Sequence, residues 1–148
     1  MRRSATESLT GIPAVGDPLP NASMAIIEPN KLVDYALNPE DPVGRHKAIV
    51  FERALGIEQD DWEYLRDAIL EELPRQSISG SRPPLRSGER HTWEVLVPIR
   101  GLGAQGERVL LVVTGWERVQ EIPRLVTTRV APKKRQPISE RAYNRSER

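Results

Sequence analysis

Three segments in the first half of the chain repeat apolar residues at helical spacing. The first opens at Glu28-Pro29-Asn30 and ends near Asn38-Pro39, because proline suits a first helical turn and disfavours the α conformation in the residue before it. The second spans about Arg45–Leu55, and Gly56 follows it as a natural C-terminal cap. The third spans about Asp60–Leu73 and begins with carboxylates that suit the helix dipole.

The second half of the chain changes to the alternating period of β-strands. A long loop over Pro74–Arg90 precedes an alternating strand at His91–Arg100. A glycine-rich connection, Gly101–Gly106, leads to Arg108–Trp116, which is nearly all Val and Leu, as in a central strand covered on both faces. Pro123–Val130 alternates again. Helices first and strands later predict an α+β fold, with N-terminal helices packed on a mainly antiparallel sheet of three or more strands.

The two ends of the chain have no hydrophobic period. Residues 1–20 are rich in Ser, Thr, Gly and Pro, which predicts a flexible leader. Residues 131–148 are basic and poor in apolar side chains, which predicts a disordered tail. A single α+β domain is therefore expected over residues 21–130. The short apolar run Met24–Ile27 near its start is either an edge strand or a docking segment.

The composition of the chain excludes several classes of protein. Its 148 residues fit one domain, and the absence of cysteine excludes disulfides, thiolate nucleophiles and cysteine-based metal sites. Because there are only two histidines, we expect no metal and no cofactor. No apolar run approaches the ~20 residues that span a bilayer, and no apolar signal-peptide core follows Met1-Arg2-Arg3. We therefore expect a soluble, cytoplasmic protein without a membrane partner.

The formal net charge of +1 conceals a charge asymmetry along the chain. Residues 131–148 hold six basic and two acidic side chains, a net charge of +4. Residues Glu58–Glu72 hold seven carboxylates and one arginine, whereas Leu73–Val130 hold nine arginines and five glutamates. The molecule is thus predicted to have an acidic helix and a basic strand side, and the basic side suits RNA or an acidic protein partner.

Four segments of the chain resemble a bacterial family of unknown function. They are Leu32–Pro39, Pro42–Lys47, Phe51 with Ala54–Gly56, and Pro123–Thr128. The family has a Gly-x-His-Lys motif and occurs alone and at the C-terminus of polymorphic-toxin and phage-associated proteins; the similarity covers about Leu19–Val130. Its helix-then-sheet order is similar to ribonuclease toxins of the barnase, colicin and RelE kind. The resemblance implies a bacterial or phage toxin-type effector, with a cognate antitoxin or immunity protein as partner.

Gly44-Arg45-His46-Lys47, at the start of the second helix, is the first candidate site. The free N–H groups and dipole of a helix start favour a phosphate, and Arg45 and Lys47 add positive charge there. Histidine is the side chain that ordinarily titrates near neutral pH, so His46 is the candidate acid/base. A metal-independent ribonuclease also needs cations on the phosphate, for which Arg45, Lys47 and Arg124 are the candidates. The same tetrapeptide also fits a solvated helix start.

A second candidate group lies on the late strands. Its members are Thr114, Trp116, Arg118, Arg124, Thr127 and Thr128. An arginine there would clamp a phosphate while the Trp116 indole stacks a base; alternatively, Trp116 belongs to the core and Arg124 to an ion pair. Thr127 and Thr128 need no explanation beyond the β-propensity of threonine. His91, which begins the first long strand, is either the second proton carrier or a half-exposed polar residue.

Two functions from different classes follow from these residues. The first is a metal-independent endoribonuclease with His46, Lys47 and Arg124 as catalytic residues and Arg45, Thr114, Trp116, Thr128 and His91 binding the substrate. The second is a non-catalytic binding module that contacts a protein partner or nucleic acid through its basic side and tail. A dinucleotide-binding site is excluded, because the glycines of Gly101–Gly106 link two strands and no helix follows them.

Overall fold

The structure, a computed structural model, describes residues 11–137. Its longer elements are a π-helix at Lys31–Ala36, helices α1 (Arg45–Leu55) and α2 (Trp62–Glu72), and strands β1 (Ile78–Arg82), β2 (Thr92–Arg100), β3 (Val109–Val119) and β4 (Ile122–Val130). Single 3₁₀ turns lie at Ala22–Met24, Gln59–Asp61, Leu73–Arg75, Gly103–Gln105 and Lys133–Arg135. Helices come before an antiparallel sheet, and the predicted α+β fold is confirmed.

The sheet is a four-stranded antiparallel meander in the order β1-β2-β3-β4. Trp93 pairs with Trp116 and Val95 with Thr114, so these four positions share one face of the sheet. That face, with Val97, Ile99, Leu110 and Val112, packs against Phe51 of α1 and Leu65 and Ile69 of α2 to form the core. The other face, called the open face below, points away from this core.

The first predicted helix is a π-helix. The Leu37 N–H donates to the Leu32 carbonyl at 2.8 Å, a hydrogen bond that spans five residues rather than four. The α-helical period would place Leu32, Tyr35 and Ala36 on one face. In the wider π turn Leu32 and Ala36 remain buried, but the side chain of Tyr35 is 47% exposed. An aromatic ring therefore stands at the surface.

Strand β1 lies inside the segment that the sequence predicts to be a loop, Pro74–Arg90. Its residues Ile78–Arg82 include Ser and Gly, which favour turns, and only Ile78 is buried. The strand forms because its backbone completes the hydrogen bonds of the exposed edge of β2, where Gly80 pairs with Glu94. The exposed loop that remains before β2 is correspondingly shorter than expected.

Both ends of the described chain pack against the sheet. At the N-terminal end, the Trp93 indole N–H donates to the Pro13 carbonyl at 2.9 Å, and the Ile78 N–H donates to the Asp17 carbonyl at 2.8 Å. At the C-terminal end, Ala131 and Gln136 are 0% and 1% exposed. The folded part therefore begins before residue 21 and continues beyond Val130. Residues 1–10 of the predicted leader and 138–148 of the predicted tail lie outside the described residues.

The run Met24–Ile27 forms an isolated parallel bridge to β4 rather than a strand of its own. The Ile26 N–H donates to the Pro123 carbonyl at 2.9 Å, and the Leu125 N–H donates to the Ile26 carbonyl at 3.0 Å. These bonds occupy part of the free edge of β4. Among residues 11–137, no helix has the length and apolar character required to cross a membrane.

Candidate functional site

A groove crosses the open face of the sheet because two glycines lie in one cross-strand row. The row reads Gly80, Glu94, Gly115 and Thr127 from β1 to β4. A Cβ atom on Gly115 would lie 2.9 Å from the Thr127 methyl carbon, so a side chain at this position would displace Thr127. The resulting cavity has a volume of about 480 Å³. We call it the sheet groove.

Three cationic side chains line the sheet groove: Lys47 from α1, Arg82 from β1 and Arg129 from β4. Within residues 11–137 none of the three forms an ion pair with a carboxylate. The hydroxyls of Thr92 and Thr127 lie among them. Cations that are not neutralised and hydroxyl donors around a concave surface form an anion-binding environment.

Lys47 reaches the groove from the first turn of α1. Its Nζ donates to Thr127 Oγ1 at 2.7 Å, which anchors the ammonium group at the β4 side of the groove. Desolvation lowers the pKa of Lys47, and the positive charge of nearby Arg129 lowers it further. An ammonium group in this position gains from an incoming anion, which would relieve its repulsion from Arg129.

The one carboxylate in the groove lining, Glu94, forms an ion pair with Arg135 of the 3₁₀ turn that follows β4. Arg135 donates from Nη2 to Glu94 Oε2 at 2.6 Å and from Nη1 to Oε1 at 3.2 Å. This bidentate pair lowers the pKa of Glu94, while partial burial opposes the shift; the Ser79 hydroxyl and the charge of Arg129 add to it. The potential in the groove is therefore set by its cations.

Two further cavities adjoin the sheet groove, and each shares lining residues with it. A hollow of about 200 Å³ shares Lys47, Val126 and Thr127 with the groove and extends to Tyr35 and Lys31. A cavity beneath the exposed loop after β1 shares Arg82 and Thr92 with the groove. The cavity after β1 is also lined by the carboxylates Glu89 and Glu117, so its lining is less basic than that of the groove.

A carboxylate of the protein, that of Asp41, binds backbone N–H groups just before the start of α1. The Asp41 carboxylate accepts from the Gly44 N–H at 2.6 Å and from the Val43 N–H at 3.0 Å. Arg45 and His46 are exposed, and neither lines the sheet groove. Of the Gly-Arg-His-Lys segment, the structure therefore brings only the Lys47 side chain to the groove, while Gly44 borders the adjoining hollow.

The late-strand candidates divide between the core and the surface. The Trp116 indole N–H donates to Thr114 Oγ1, and the Thr114 hydroxyl donates to the Val95 carbonyl, both at 2.7 Å. Thr128, which is 1% exposed, donates its hydroxyl to the Val113 carbonyl at 2.8 Å. All three residues are buried on the core face, away from the groove. Arg124 forms an ion pair with Glu28.

His91 lies beside the β1 end of the groove without lining it. Its Nε2 lies 2.6 Å from the Ser81 hydroxyl, and its ring stacks on Trp93 with a centroid distance of 4.1 Å. Partial burial lowers the pKa of His91, and the charge of Arg118 lowers it further. Both effects favour the neutral form of the imidazole.

Arg82 and Arg129 were not among the candidates that the sequence indicates. The one signal for Arg129 is the period of two along β4. Because Val130 is apolar and faces the core, the preceding Arg129 must lie on the other face of the sheet. The groove itself depends on Gly80 and Gly115 falling in one row, and this follows only from the strand register. Residues 11–137 contain no cluster of His, Asp and Glu that could hold a metal ion.

The fold and the groove define a small α+β protein whose open antiparallel sheet carries a groove lined by Lys47, Arg82 and Arg129. A family model, described as a domain of unknown function (DUF6883), matches residues 18–132, and the chain belongs to this family. No curated protein and no solved structure matches the chain.

Proposed function

We propose that this protein binds the phosphate backbone of an RNA strand in the sheet groove. The observation that carries the proposal is the convergence of Lys47, Arg82 and Arg129 on one groove, without a carboxylate partner among residues 11–137. Lysine and arginine are the side chains that neutralise backbone phosphates, and hydroxyls such as that of Thr127 supply further donors. A strand, rather than a small anion, is favoured because a second hollow shares Lys47 and Thr127 with the groove and adds Lys31.

The binding test compares the groove cations with a matched cation outside the groove. A fluorescein-labelled single-stranded RNA is titrated with the wild type, Lys47→Met, Arg129→Met and the control Arg53→Met, which removes an exposed arginine from α1. We expect each groove variant to lower affinity about fivefold, because a phosphate contact is lost. Each should also reduce the slope of log K against log salt by about 0.7. The control should match the wild type.

Three results would overturn this proposal. They are no binding by the wild type, binding that does not depend on salt, and losses in the groove variants that equal the loss in Arg53→Met. Salt-independent capture of one protein would instead favour the protein partner that the sequence also suggests, such as an antitoxin or immunity protein.

Metal-independent cleavage of the bound RNA is the second candidate function. The observation that favours it is the position of Lys47 in the groove with Arg129, where desolvation and the charge of Arg129 lower the pKa of the lysine. Arg129 beside it would stabilise the charge on the phosphate. His46, which lies next to Lys47 in sequence, and Arg124 are the other catalytic candidates, and both lie outside the groove lining.

Cleavage is tested with total RNA in the presence of EDTA. We compare the wild type with Lys47→Met and His46→Ala, and we expect Lys47→Met to lose activity if the groove is the catalytic site. Loss of cleavage in His46→Ala alone would assign catalysis to the start of α1 instead.

The toxin-type effector is tested by growth after induction of the same three proteins. If no RNA is cleaved and growth is unaffected, binding remains the function and cleavage is rejected.

A further inference from the structure

The geometry points to a nucleobase site in the hollow around Tyr35, next to the phosphate-binding groove. This inference rests on the proposed function and adds to it a requirement for an unpaired base. The hollow has a volume of about 200 Å³ and is lined by Lys31, Tyr35, Val43, Gly44, Lys47 and Thr127 among others. We refer to it as the Tyr35 hollow.

The Tyr35 hollow is bordered by an aromatic and an apolar residue that are both exposed. Tyr35 is 47% exposed and Val43 is 77% exposed, whereas Leu32 and Ala36 of the same π-helix are buried. Aromatic rings in this position stack on the face of any base, and stacking tolerates every base because each has a π face. Lys31 adds a cation beside the ring.

The position of Tyr35 is fixed by the close approach of α1. A Cβ atom on Gly44 would lie 2.0 Å from the Tyr35 carbonyl oxygen, so only glycine allows the start of α1 to pack there. The Gly44 N–H is in turn held by Asp41. The backbone that carries the ring is therefore held against α1, and a rigid platform loses little conformational freedom when a base stacks on it.

The Tyr35 hollow and the sheet groove share two hydrogen-bonded residues. The Lys47–Thr127 pair, 2.7 Å apart, borders both the Tyr35 hollow and the sheet groove. A nucleotide whose base enters the hollow would thus present its phosphate to Lys47 and Arg129. A base enters the hollow only when it is unpaired, so the site selects single strands over duplexes.

The test uses three labelled probes with the same number of phosphates per strand: single-stranded oligouridine, the same strand paired in a duplex, and an abasic strand. We expect the wild type to bind oligouridine about tenfold tighter than the abasic strand. Tyr35→Ala should lose this difference, Tyr35→Phe should keep it, and both should bind the abasic strand like the wild type. Unfolding in urea confirms that both variants fold.

The outcomes separate this inference from the proposed function. Failure of the wild type to bind any of the three probes overturns the proposed function. Equal affinity for oligouridine and the abasic strand overturns the nucleobase site and leaves phosphate binding intact. Duplex binding as tight as single-strand binding, or Tyr35→Ala indistinguishable from the wild type, also overturns the nucleobase site.

Discussion

Lys47 owes its position to two elements that are far apart in the sequence. The first turn of α1 supplies the residue, and Thr127 of β4, 80 residues later, accepts its hydrogen bond. Beside Arg129, the ammonium group is held in a partly desolvated position, which lowers its pKa. The charge that the groove offers to an anion therefore depends on pH in a way that the arginines do not share.

Replacing Lys47 with arginine should remove this pH dependence. Because the pKa of Lys47 is lowered below its ordinary value of 10.5, its charge is lost at a lower pH than that of an ordinary lysine. We expect the affinity for oligodeoxyadenylate, which survives alkali, to fall as pH rises from about 7 to about 10. Lys47→Arg should keep its affinity, because guanidinium stays charged. Parallel pH profiles for the two proteins would contradict this prediction.

For single residues, the sequence shows which side chains are polar and which are apolar, but not which face of the sheet each one occupies. Strand β3 is apolar on both faces, with Val112 on the core face and Val113 on the open face. The pattern alone therefore left open whether Trp116 packs in the core or stacks on a ligand, and the structure buries it completely. In the sequence Thr127 is an ordinary strand threonine. Its hydrogen bond with Lys47 joins residues that are 80 positions apart, and no local pattern predicts it.

Helix α1 is the element that the sequence predicts best, from Arg45 to Leu55 with Gly56 after it. Gly56 adopts a left-handed φ of 67°, and its N–H donates to the Glu52 carbonyl. The local chemistry of a helix end is complete within a few residues, so it can be read from sequence. Strand β1 is the opposite case, because its turn-forming residues become a strand only through pairing with β2.

Gly56→Ala should destabilise the protein through both backbone and contact. A left-handed φ costs an alanine about 1–2 kcal/mol, and its Cβ would also lie 2.4 Å from the Leu102 carbonyl oxygen. We expect the free energy of unfolding, measured in urea, to fall by at least about 2 kcal/mol. Gly88→Ala is the matched control, since Gly88 has a φ of 89° and no atom near the added Cβ. Equal losses in the two variants would show that the Leu102 contact is unimportant.

The described parts of the predicted leader and tail pack against the sheet. Their composition resembles that of linkers. They are held by hydrogen bonds of single polar groups, which produce no periodic pattern of apolar residues in the sequence. Gln136 is the clearest case, because its side chain accepts from the Leu111 N–H at 2.7 Å and donates to the Leu111 and Ala131 carbonyls at 2.9 and 3.0 Å. An amide side chain thus takes the place of a neighbouring strand beyond the end of β4.

Gln136→Ala should therefore lower stability well beyond the loss of one surface residue. The change removes the amide from the backbone of buried Ala131 and of partly buried Leu111, and we expect a loss of about 1–3 kcal/mol in the free energy of unfolding. Pro137→Ala, at the exposed neighbouring position, should leave the midpoint of urea unfolding unchanged. A Gln136→Ala midpoint equal to that of Pro137→Ala would show that the amide contributes nothing.

The order of the strands has a consequence for the nascent chain. Consecutive strands pair with one another, so the sheet can assemble hairpin by hairpin as the polypeptide leaves the ribosome. The basic groove cannot assemble in this way, because Lys47 emerges early while Thr127 and Arg129 belong to the final strand. A ribosome-bound chain therefore lacks the groove until β4 has emerged.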